Sequence, residues 1–388
     1  MNKVAVIAAQ RTPVGKIPGE LNYIGETELL AQVFQITMKA FDKIIIDEAI
    51  VGSSFPIERD NLCRKAILMA GLSPKINAAT VSKTCASSDE ALAIACCKII
   101  SQNARTILVG SVEKISNSPY TLHFMKQNVK KSIKKDIPFF DEIKKNINEN
   151  DMAYISEMLS RNYNITRQMQ DAFTIESIKK AAAANKDGRF KNEIIQISYI
   201  KDNVEYLLSA DEMLLYERIA DDIQRAAPMF IKDGVLTQYN AAPMCDCAAA
   251  MLVMDYNEAL RAGLKPLAVV HDVLAIGVSD GKRGHAMNEC VQVILMRNNL
   301  SSLDIDLYEI NESFAAQALF TVNTLRLDRS KVNVNGGNLA LGYPIGATGL
   351  RMDITLIYEM IRRKSKYAIS VMCAGGNMAQ AVIFESVI

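Results

Sequence analysis

The sequence predicts an α/β protein. Short runs of β-branched residues alternate along the chain with longer amphipathic runs, which is the pattern of strands connected by helices. In both halves of the chain, polar and sulfur-containing residues follow a predicted strand and precede a predicted helix. Ligands bind at the carboxyl ends of strands in open α/β sheets, so a functional site is expected at these positions. The 388 residues suffice for two or three domains or for one large composite core.

The first third of the chain alternates regularly between the two patterns. Buried strands are typically β-branched and short, whereas helices show apolar residues every three or four positions. Strands are predicted at residues 4–9, 44–51, 78–83 and 106–112, and helices at residues 26–40, 62–70 and 91–100.

The character of the chain changes at about residue 116. Residues 116–150 are polar, rich in lysine and weakly periodic. Helices are then predicted at residues 152–160 and 166–185, the second of which ends before Gly188. We interpret this middle section as an insertion folded over the face of the core. Its basic run at residues 126–135 is either a solvated surface or a patch that binds the phosphates of a nucleotide.

A second α/β unit is predicted from about residue 266. Its strands are predicted at residues 267–278, 307–310, 332–334, 367–372 and 380–386. The parallel between the two units suggests an internal duplication, although residue identity between them is low.

Composition excludes several classes of function. The net charge of +1 gives no reason to expect a nucleic acid partner or a membrane surface, and no stretch of 18 apolar residues is present to span a bilayer. The eight cysteines have the spacing of neither a disulfide framework nor a zinc site, so no metal and a reducing compartment are expected. Neither end carries a targeting signal, which predicts a cytoplasmic protein.

Cys85 is the first candidate catalytic residue. It precedes a predicted helix, where unpaired backbone N–H groups and the positive end of the helix dipole favour a thiolate. The small residues 86–88 leave room for an acyl group, and the amide of residue 85 could donate to an oxyanion. The alternative is a small buried apolar residue, which is the commonest role of a free cysteine.

Three further features follow predicted strands. Cys373 begins a Cys-Ala-Gly-Gly turn with exposed amides, or is an ordinary cysteine at a strand end. Asn311 either caps a helix or orients a water or a neighbour in an acyl site. Residues 335–349 include five glycines, which indicates close approach of the backbone to a ligand or another loop, but they lack the Gly-Lys-Ser/Thr of a phosphate-binding loop.

Together these features resemble the thiolase family. The likeness runs almost from end to end, on the motifs at residues 10–15 (Gln-Arg-Thr-Pro-Val-Gly), 85–87 (Cys-Ala-Ser), 170–173 (Gln-Asp-Ala-Phe), 186–194 (Lys-Asp-Gly-Arg-Phe-Lys-Asn-Glu-Ile), 311–315 (Asn-Glu-Ser-Phe-Ala), 333–337 (Asn-Val-Asn-Gly-Gly) and 373–376 (Cys-Ala-Gly-Gly).

The resemblance implies a fold of five layers, α-β-α-β-α, from two duplicated halves plus an inserted loop domain. It places the N-terminal half at residues 1–115, completed by about 244–264, the loop domain over the active site at 116–243, and the C-terminal half at 265–388. The family forms dimers that often pair into tetramers, so a homodimer or homotetramer is expected.

The resemblance also implies acyl transfer between coenzyme A thioesters, with no permanently bound cofactor. Cys85 would take an acyl group, and Cys373 would remove a proton from the α-carbon of acetyl-CoA and later return one. The amides of Cys85 and Gly375 would form one oxyanion hole. The histidine of a Gly-His-Pro triplet and a water held by Asn311 would form the other.

The chain departs from the family at that histidine. Residues 342–344 read Gly-Tyr-Pro, so Tyr343 takes the place of the histidine, and none of the three histidines, His123, His271 and His285, lies in the motif. A phenol, with a reference pKa of about 10, is a poor base near neutral pH, although its O–H can still donate to an oxyanion. Loss of one oxyanion donor typically slows a reaction on the order of 100- to 1000-fold.

The residues expected to bind coenzyme A are altered as well. Ala241 and Ala242 lie where the family has a Gly-Asn-Ser/Ala-Ser-Gly pattern, with Ala242 replacing a serine and Pro243 a glycine. Met152 follows Asp151, which stands where biosynthetic thiolases have a histidine near the pantetheine. We expect Met152, Ala241 and Ala242 to lie against coenzyme A in an altered pocket.

Two functional hypotheses follow. The first is an acyl-CoA:acetyl-CoA C-acyltransferase that works through acyl-Cys85, in either direction, with a site altered by the replacement of histidine by tyrosine. The second is a thiolase-like protein that binds an acyl-CoA or a protein partner with weak or no turnover. A different acyl-thioester reaction, such as thioester hydrolysis, is a third alternative.

Overall fold

The computed structural model describes residues 3–57, 60–117, 151–215 and 219–387. The basic run at 126–135 and His123 lie outside the described residues. The strands are β1 Val4–Arg11, β2 Glu48–Gly52, β3 Asn77–Val81, β4 Thr106–Glu113, β5 Ile197–Lys201, β6 Val204–Leu208, β7 Cys247–Asp255, β8 Ala268–Gly277, β9 Leu307–Ile310, β10 Tyr367–Ala374 and β11 Met378–Glu385.

The α-helices connect these strands and cover the sheet. They are α1 Glu26–Met38, α2 Leu62–Met69, α3 Ser87–Ile100, α4 Met152–Asn162, α5 Arg167–Lys186, α6 Ile219–Arg225, α7 Tyr256–Arg261, α8 Ala286–Arg297, α9 Ala315–Thr324, α10 Asn338–Leu341 and α11 Thr348–Arg363. Among the described residues, no helix is long and apolar enough to cross a membrane.

Nine strands form one mixed sheet in the order β3-β2-β4-β7-β1-β8-β11-β10-β9. Its centre is the short antiparallel pairing of β1 with β8. Outward from that centre, each half repeats two antiparallel pairings followed by a parallel one. The N-terminal half adds a second parallel pairing, of β2 with β3. The two halves therefore share order and direction over four strands each, as the predicted internal duplication requires.

Three apolar cores separate the layers. One lies between α1, α2 and the outer face of the N-terminal half of the sheet, and another lies between α8, α9 and the outer face of the C-terminal half. The third surrounds α3 and α11, which pack between the two halves. This arrangement is the expected succession α-β-α-β-α.

The described part of the middle section packs near one end of the C-terminal half. Helix α4 contacts α9, and α5 contacts both α9 and α10. Strands β5 and β6 form a separate two-stranded hairpin, which the sequence analysis did not identify. The proposed domain boundaries stay a prediction.

Two predicted strands differ from the structure. The strand predicted at 44–51 begins only at Glu48, because Asp47 accepts backbone N–H bonds from Arg105 and Thr106 at 2.7 and 3.0 Å and turns the chain before it enters the sheet. The strand predicted at 332–334 is wrong. Val332 makes a single bridge to Tyr308, and the chain then turns at Asn333, whose φ is +43°.

Candidate active site

Three of the predicted catalytic residues lie at or just beyond the carboxyl ends of strands. Cys85 lies between β3 and α3, Asn311 follows β9, and Cys373 is the second-to-last residue of β10. Tyr343 lies in the glycine-rich loop between α10 and α11. Although β3 and β9 are the two end strands of the sheet, α3 and α11 pack between its two halves, so these residues meet despite their distance in the sequence.

Cys85 is half-buried and faces hydrogen-bond donors from several directions. Burial raises the pKa of the Cys85 thiol. A hydrogen bond with the Tyr343 hydroxyl lowers this pKa, whereas the negative charge of Glu113 raises it. The backbone N–H groups of Cys85 and Gly375 lower this pKa further. Two amides and one phenol therefore converge on the sulfur, and all of them favour its anion.

Tyr343 is buried among apolar residues and keeps its proton. Burial raises the pKa of Tyr343 well above 10, and the neighbouring sulfurs of Cys85 and Cys373 raise it further. Its ring packs with Ile115 and Ile345, and its backbone N–H donates to Pro243 O at 2.8 Å. At neutral pH this side chain is a hydrogen-bond donor and not a base.

Ser313 connects Tyr343 to the second thiol. Its hydroxyl is hydrogen-bonded with the Tyr343 side chain and lies 3.8 Å from Cys373 Sγ. The two sulfurs thus lie on either side of one chain of hydroxyl groups, and each raises the pKa of the phenol between them.

Cys373 is buried and has three polar neighbours. Asn311 Nδ2 donates to its sulfur at 3.3 Å, and the thiol donates to Gln317 Oε1 at 3.5 Å. Burial raises the pKa of Cys373 to about 12, the Cys85 sulfur adds to that increase, and the Ser313 and Asn311 hydrogen bonds oppose it. Because each sulfur disfavours ionisation of the other, the first proton leaves this pair more easily than the second.

The amide of Asn311 is held from both sides. Its Nδ2 also donates to Ser313 Oγ at 2.9 Å, while its Oδ1 accepts from Asn338 Nδ2 at 2.6 Å. Asn311 and Asn338 are both buried. The structure therefore gives Asn311 a contact with the second thiol, in place of the simple helix cap that was the alternative.

Gly375 lies beside Cys85 but already has a partner. Its N–H donates to Thr84 Oγ1 at 3.0 Å. A Cβ built on Gly375 would lie 3.6 Å from Thr84 Cγ2, an ordinary contact, so this position has room for a small substrate group.

A buried carboxylate lies near this site. Glu113, at the end of β4, accepts backbone N–H bonds from Ser54 and Phe55 at 3.0 Å and from Gly346 at 2.8 Å. Burial nevertheless raises its pKa to about 7, and these N–H groups oppose the increase. Glu113 follows the strand predicted at 106–112, and that position was its only sequence signal.

The three residues expected at coenzyme A occupy different surroundings. Ala242 packs against the cluster that contains Tyr343, and its N–H donates to Ser313 O at 3.0 Å. Ala241 pairs with Phe314 through a β-bridge. Met152 begins α4 and packs against the outer core of the C-terminal half. Contact of these residues with coenzyme A stays a prediction.

The two described histidines have other partners. His271 Nδ1 lies 3.2 Å from Glu385, and His285 Nε2 lies 3.0 Å from the Tyr163 hydroxyl. Among the described residues, no group of three or more potential metal ligands is clustered.

Sequence reasoning missed four residues of the site: Thr84, Ser313, Gln317 and Asn338. Each lies in or within four residues of a motif that was identified, and Gln317 lies in the first turn of α9, four residues after Ser313. Their proximity in the sequence was available as a signal, but their side-chain directions were not.

Two family models together match almost the whole chain. Residues 4–257 match the thiolase N-terminal domain, and residues 264–386 match the thiolase C-terminal domain. The chain is 33% identical over 393 residues to an acetyl-CoA acetyltransferase of Chromobacterium violaceum, covering 99% of each, and 31% identical to a 3-ketoacyl-CoA thiolase of Bacillus subtilis, covering 99% of this chain and 100% of the other.

Solved structures give the same result. The chain superimposes on the acetyl-CoA acetyltransferase of Bacillus anthracis with a TM-score of 0.94 at 32% identity, covering 100% of this chain and 99% of the other. It superimposes on human mitochondrial 3-ketoacyl-CoA thiolase in complex with CoA with a TM-score of 0.92 at 29% identity, covering 100% and 98%.

Proposed function

The chain belongs to the thiolase family, and from that premise we propose that it transfers acyl groups between coenzyme A thioesters through an acyl-Cys85 intermediate. The enzyme class is acetyl-CoA acetyltransferase or 3-ketoacyl-CoA thiolase. The observation that best supports the mechanism is the hydrogen-bonded Tyr343 hydroxyl between two electrostatically coupled thiols.

We assign a single shared proton to the two sulfurs in the working enzyme. The Cys85 thiolate attacks the carbonyl carbon of the first thioester, so that a new S–C bond forms and the bond to the sulfur of coenzyme A breaks. Coenzyme A leaves as a thiolate and takes the proton of Cys373. The developing oxyanion is stabilised by the N–H groups of Cys85 and Gly375.

The second half-reaction returns that proton. The Cys373 thiolate removes a proton from the α-carbon of acetyl-CoA, and the resulting carbanion attacks the carbonyl carbon of acyl-Cys85. A C–C bond forms, the S–C bond to Cys85 breaks, and the Cys85 thiolate is regenerated with the proton on Cys373. Thiolysis is the same sequence reversed.

Tyr343 takes the position of the family's histidine as a donor in this proposal. Its raised pKa prevents it from accepting the Cys85 proton near neutral pH, but its O–H stabilises the Cys85 thiolate. The supply of thiolate therefore depends on pH and on the surrounding donors.

The alternative is a thiolase-like protein that binds an acyl-CoA or a protein partner and turns over weakly or not at all. One observation favours it: burial raises the pKa values of Cys85, Cys373 and Tyr343 together. All three groups then hold their protons at neutral pH, which limits nucleophilic attack.

We extend the proposal to ligand, assembly and location. Coenzyme A thioesters are the proposed substrates, because one structural neighbour was solved in complex with CoA. A homodimer or homotetramer is proposed, because β3 is an end strand whose outer edge can pair with a second copy. The eight free thiols support the proposed cytoplasmic location.

The test is acetylation of Cys85. The protein is incubated with acetyl-CoA, intact mass detects an added acetyl group, and peptide mapping identifies its position. Cys85→Ser is the control, and cleavage of acetoacetyl-CoA by coenzyme A is measured with the same preparation.

Each outcome distinguishes the hypotheses. Acetyl-Cys85 together with cleavage supports the transferase. Acetylation without cleavage supports the protein of weak turnover. Full cleavage activity that survives in Cys85→Ser overturns the acyl-Cys85 mechanism.

A further inference from the structure

Two buried asparagine side chains connect a buried arginine to the second thiol. Arg351 Nη2 donates to Asn338 Oδ1, Asn338 Nδ2 donates to Asn311 Oδ1 at 2.6 Å, and Asn311 Nδ2 donates to Cys373 Sγ at 3.3 Å. Arg351, Asn338 and Asn311 are almost completely inaccessible to solvent. We call this series the amide relay.

The arginine fixes the direction of the relay. A guanidinium carries only donors, so Asn338 must turn its oxygen toward Arg351 and its NH2 group toward Asn311. Asn311 then turns its oxygen toward Asn338 and its NH2 group toward the sulfur. Reversing either amide would place two donors or two acceptors against each other inside the protein, which is costly.

The direction decides what Cys373 encounters. In the observed orientation an N–H points at the sulfur, and a donor of this kind favours the thiolate. In the reversed orientation a carbonyl oxygen would face the sulfur and disfavour the thiolate. The other titratable groups near Cys373 are Cys85 and Tyr343, while Glu309 and Asp353 lie near Arg351.

We propose that Arg351 and Asn338 are positioning residues that fix the Asn311 amide with its N–H toward Cys373 and so favour the Cys373 thiolate. The orientation concerns the thiol itself and can be measured without turnover. Its consequence, faster removal of a proton from the α-carbon of acetyl-CoA, rests on the proposed thiolase function.

Asn338→Asp is the decisive variant because it keeps the size of the side chain. An aspartate accepts from Arg351 and can only accept from Asn311, so the Asn311 amide must reverse and turn its oxygen toward Cys373. Asn338→Ala removes the group that orients the Asn311 amide but does not force that amide to reverse. We expect the Cys373 thiolate population to fall roughly tenfold or more in Asn338→Asp, and by less in Asn338→Ala.

A second buried asparagine supplies a matched control. Asn335 accepts from Arg189 Nη1 at 3.0 Å and donates to Glu359 at 3.2 Å, so it also links an arginine to a second polar side chain. Asn335→Asp also introduces a buried carboxylate, outside the relay and facing the Glu359 carboxylate, so it is at least as demanding for the fold. It reports the general effect of such a charge on the fold.

The readout is the alkylation rate of Cys373 by iodoacetamide, followed by peptide mapping between about pH 7 and 9 on a Cys85→Ala background. At pH values below the pKa of Cys373, the alkylation rate is proportional to the population of its thiolate. The exchange of the methyl hydrogens of acetyl-CoA with D2O, measured with Cys85 intact, reports carbon deprotonation.

A lower Cys373 alkylation rate in Asn338→Asp than in Asn338→Ala, with Asn335→Asp unchanged, supports the relay. If the alkylation rates follow this pattern but neither the parent protein nor any variant exchanges the methyl hydrogens of acetyl-CoA, the relay is supported and the proposed enzyme function is contradicted. Equal rates in Asn338→Asp and Asn338→Ala overturn the relay. If Asn338→Asp does not fold, an Asn338→Ala rate equal to that of the parent also overturns it.

Discussion

The backbone N–H of Gly375 donates to Thr84 Oγ1 at 3.0 Å, although this N–H also lies against the Cys85 sulfur. Thr84 adopts a φ of +49°, a left-handed conformation that is unfavourable for a β-branched residue. The threonine hydroxyl therefore competes with the sulfur, and with any oxyanion formed there, for the same donor.

Thr84→Val should increase the reactivity of Cys85. Valine keeps the branched shape but cannot accept the Gly375 N–H, so the donor is left for the thiolate and the oxyanion. We expect acetylation by acetyl-CoA to accelerate roughly two- to tenfold, the equivalent of one net hydrogen bond. Thr84→Ser keeps the acceptor and is the control. Slower acetylation in Thr84→Val than in Thr84→Ser would show that the hydroxyl supports the site.

Tyr343→Phe should slow the formation of acyl-Cys85. The change removes the O–H that lowers the pKa of Cys85 and leaves the ring packing against Ile115 and Ile345 in place. We expect acetylation to slow about 10- to 100-fold, the effect of a hydrogen bond to a charged group. Intact-mass time courses measure it, and an unchanged rate would exclude the phenol from the step.

Tyr343→His tests the opposite change at the same position. Imidazole titrates near neutral pH and can accept the Cys85 proton. We expect faster cleavage of acetoacetyl-CoA than in the parent protein. If the rate does not change, the limitation lies elsewhere, and the Ala242–Pro243 segment beside Tyr343 is the next candidate.

Some of this site was predictable from the sequence, for identifiable reasons. Cys85, Asn311 and Cys373 each follow a predicted strand and belong to a short motif, so a site at the carboxyl ends of strands was predictable from α/β topology. The contact between Thr84 and Gly375 was not predictable, because it depends on a backbone conformation that threonine rarely adopts. The direction of the Asn338 amide likewise depends on Arg351, which lies 13 residues later in the sequence, in the next helix.

The fold was predictable to a similar degree. Strand β7, at Cys247–Asp255, was missed because both of its faces are buried and its residues show no alternation of apolar and polar side chains. The segment at 332–334 has the β-branched residues of a strand, but Asn333 bonds the backbone N–H and C=O of Ile310 through its side chain, at 2.7 and 2.9 Å. The Asn333 side chain thus takes the backbone hydrogen bonds that a neighbouring strand would have made with Ile310.

Stability should fall with rising pH because of Glu309. Burial raises the pKa of Glu309 to about 8, so the folded protein favours its protonated form, whereas an unfolded glutamate has a pKa of about 4.3. This contribution is complete below about pH 4 and is lost as the pH rises through about 8. Over that window the free energy of unfolding decreases by up to about 1.4 kcal/mol per pH unit.

Glu309→Gln should flatten this dependence, because the amide stays neutral at every pH. Denaturant unfolding at several pH values measures the slope, and Glu205→Gln, on an exposed residue of the β5–β6 hairpin, is the control. Glu113 and Asp353, whose pKa values burial raises to about 7, contribute with the same sign, so part of the slope should remain. An identical slope in Glu309→Gln would contradict the assignment.

The pH profile of Cys85 acetylation separates two sources of the thiolate. If the thiol ionises without a base, its raised pKa means that the rate climbs about tenfold per pH unit and continues beyond the ordinary thiol value of about 8.5. If Glu113 accepts the proton, the rate levels off near pH 7, where that carboxyl group titrates. We expect the continuous climb, because both Glu113 oxygens already accept backbone N–H groups and its negative charge raises the pKa of Cys85. A plateau near pH 7 that disappears in Glu113→Gln would instead identify the carboxylate as the base.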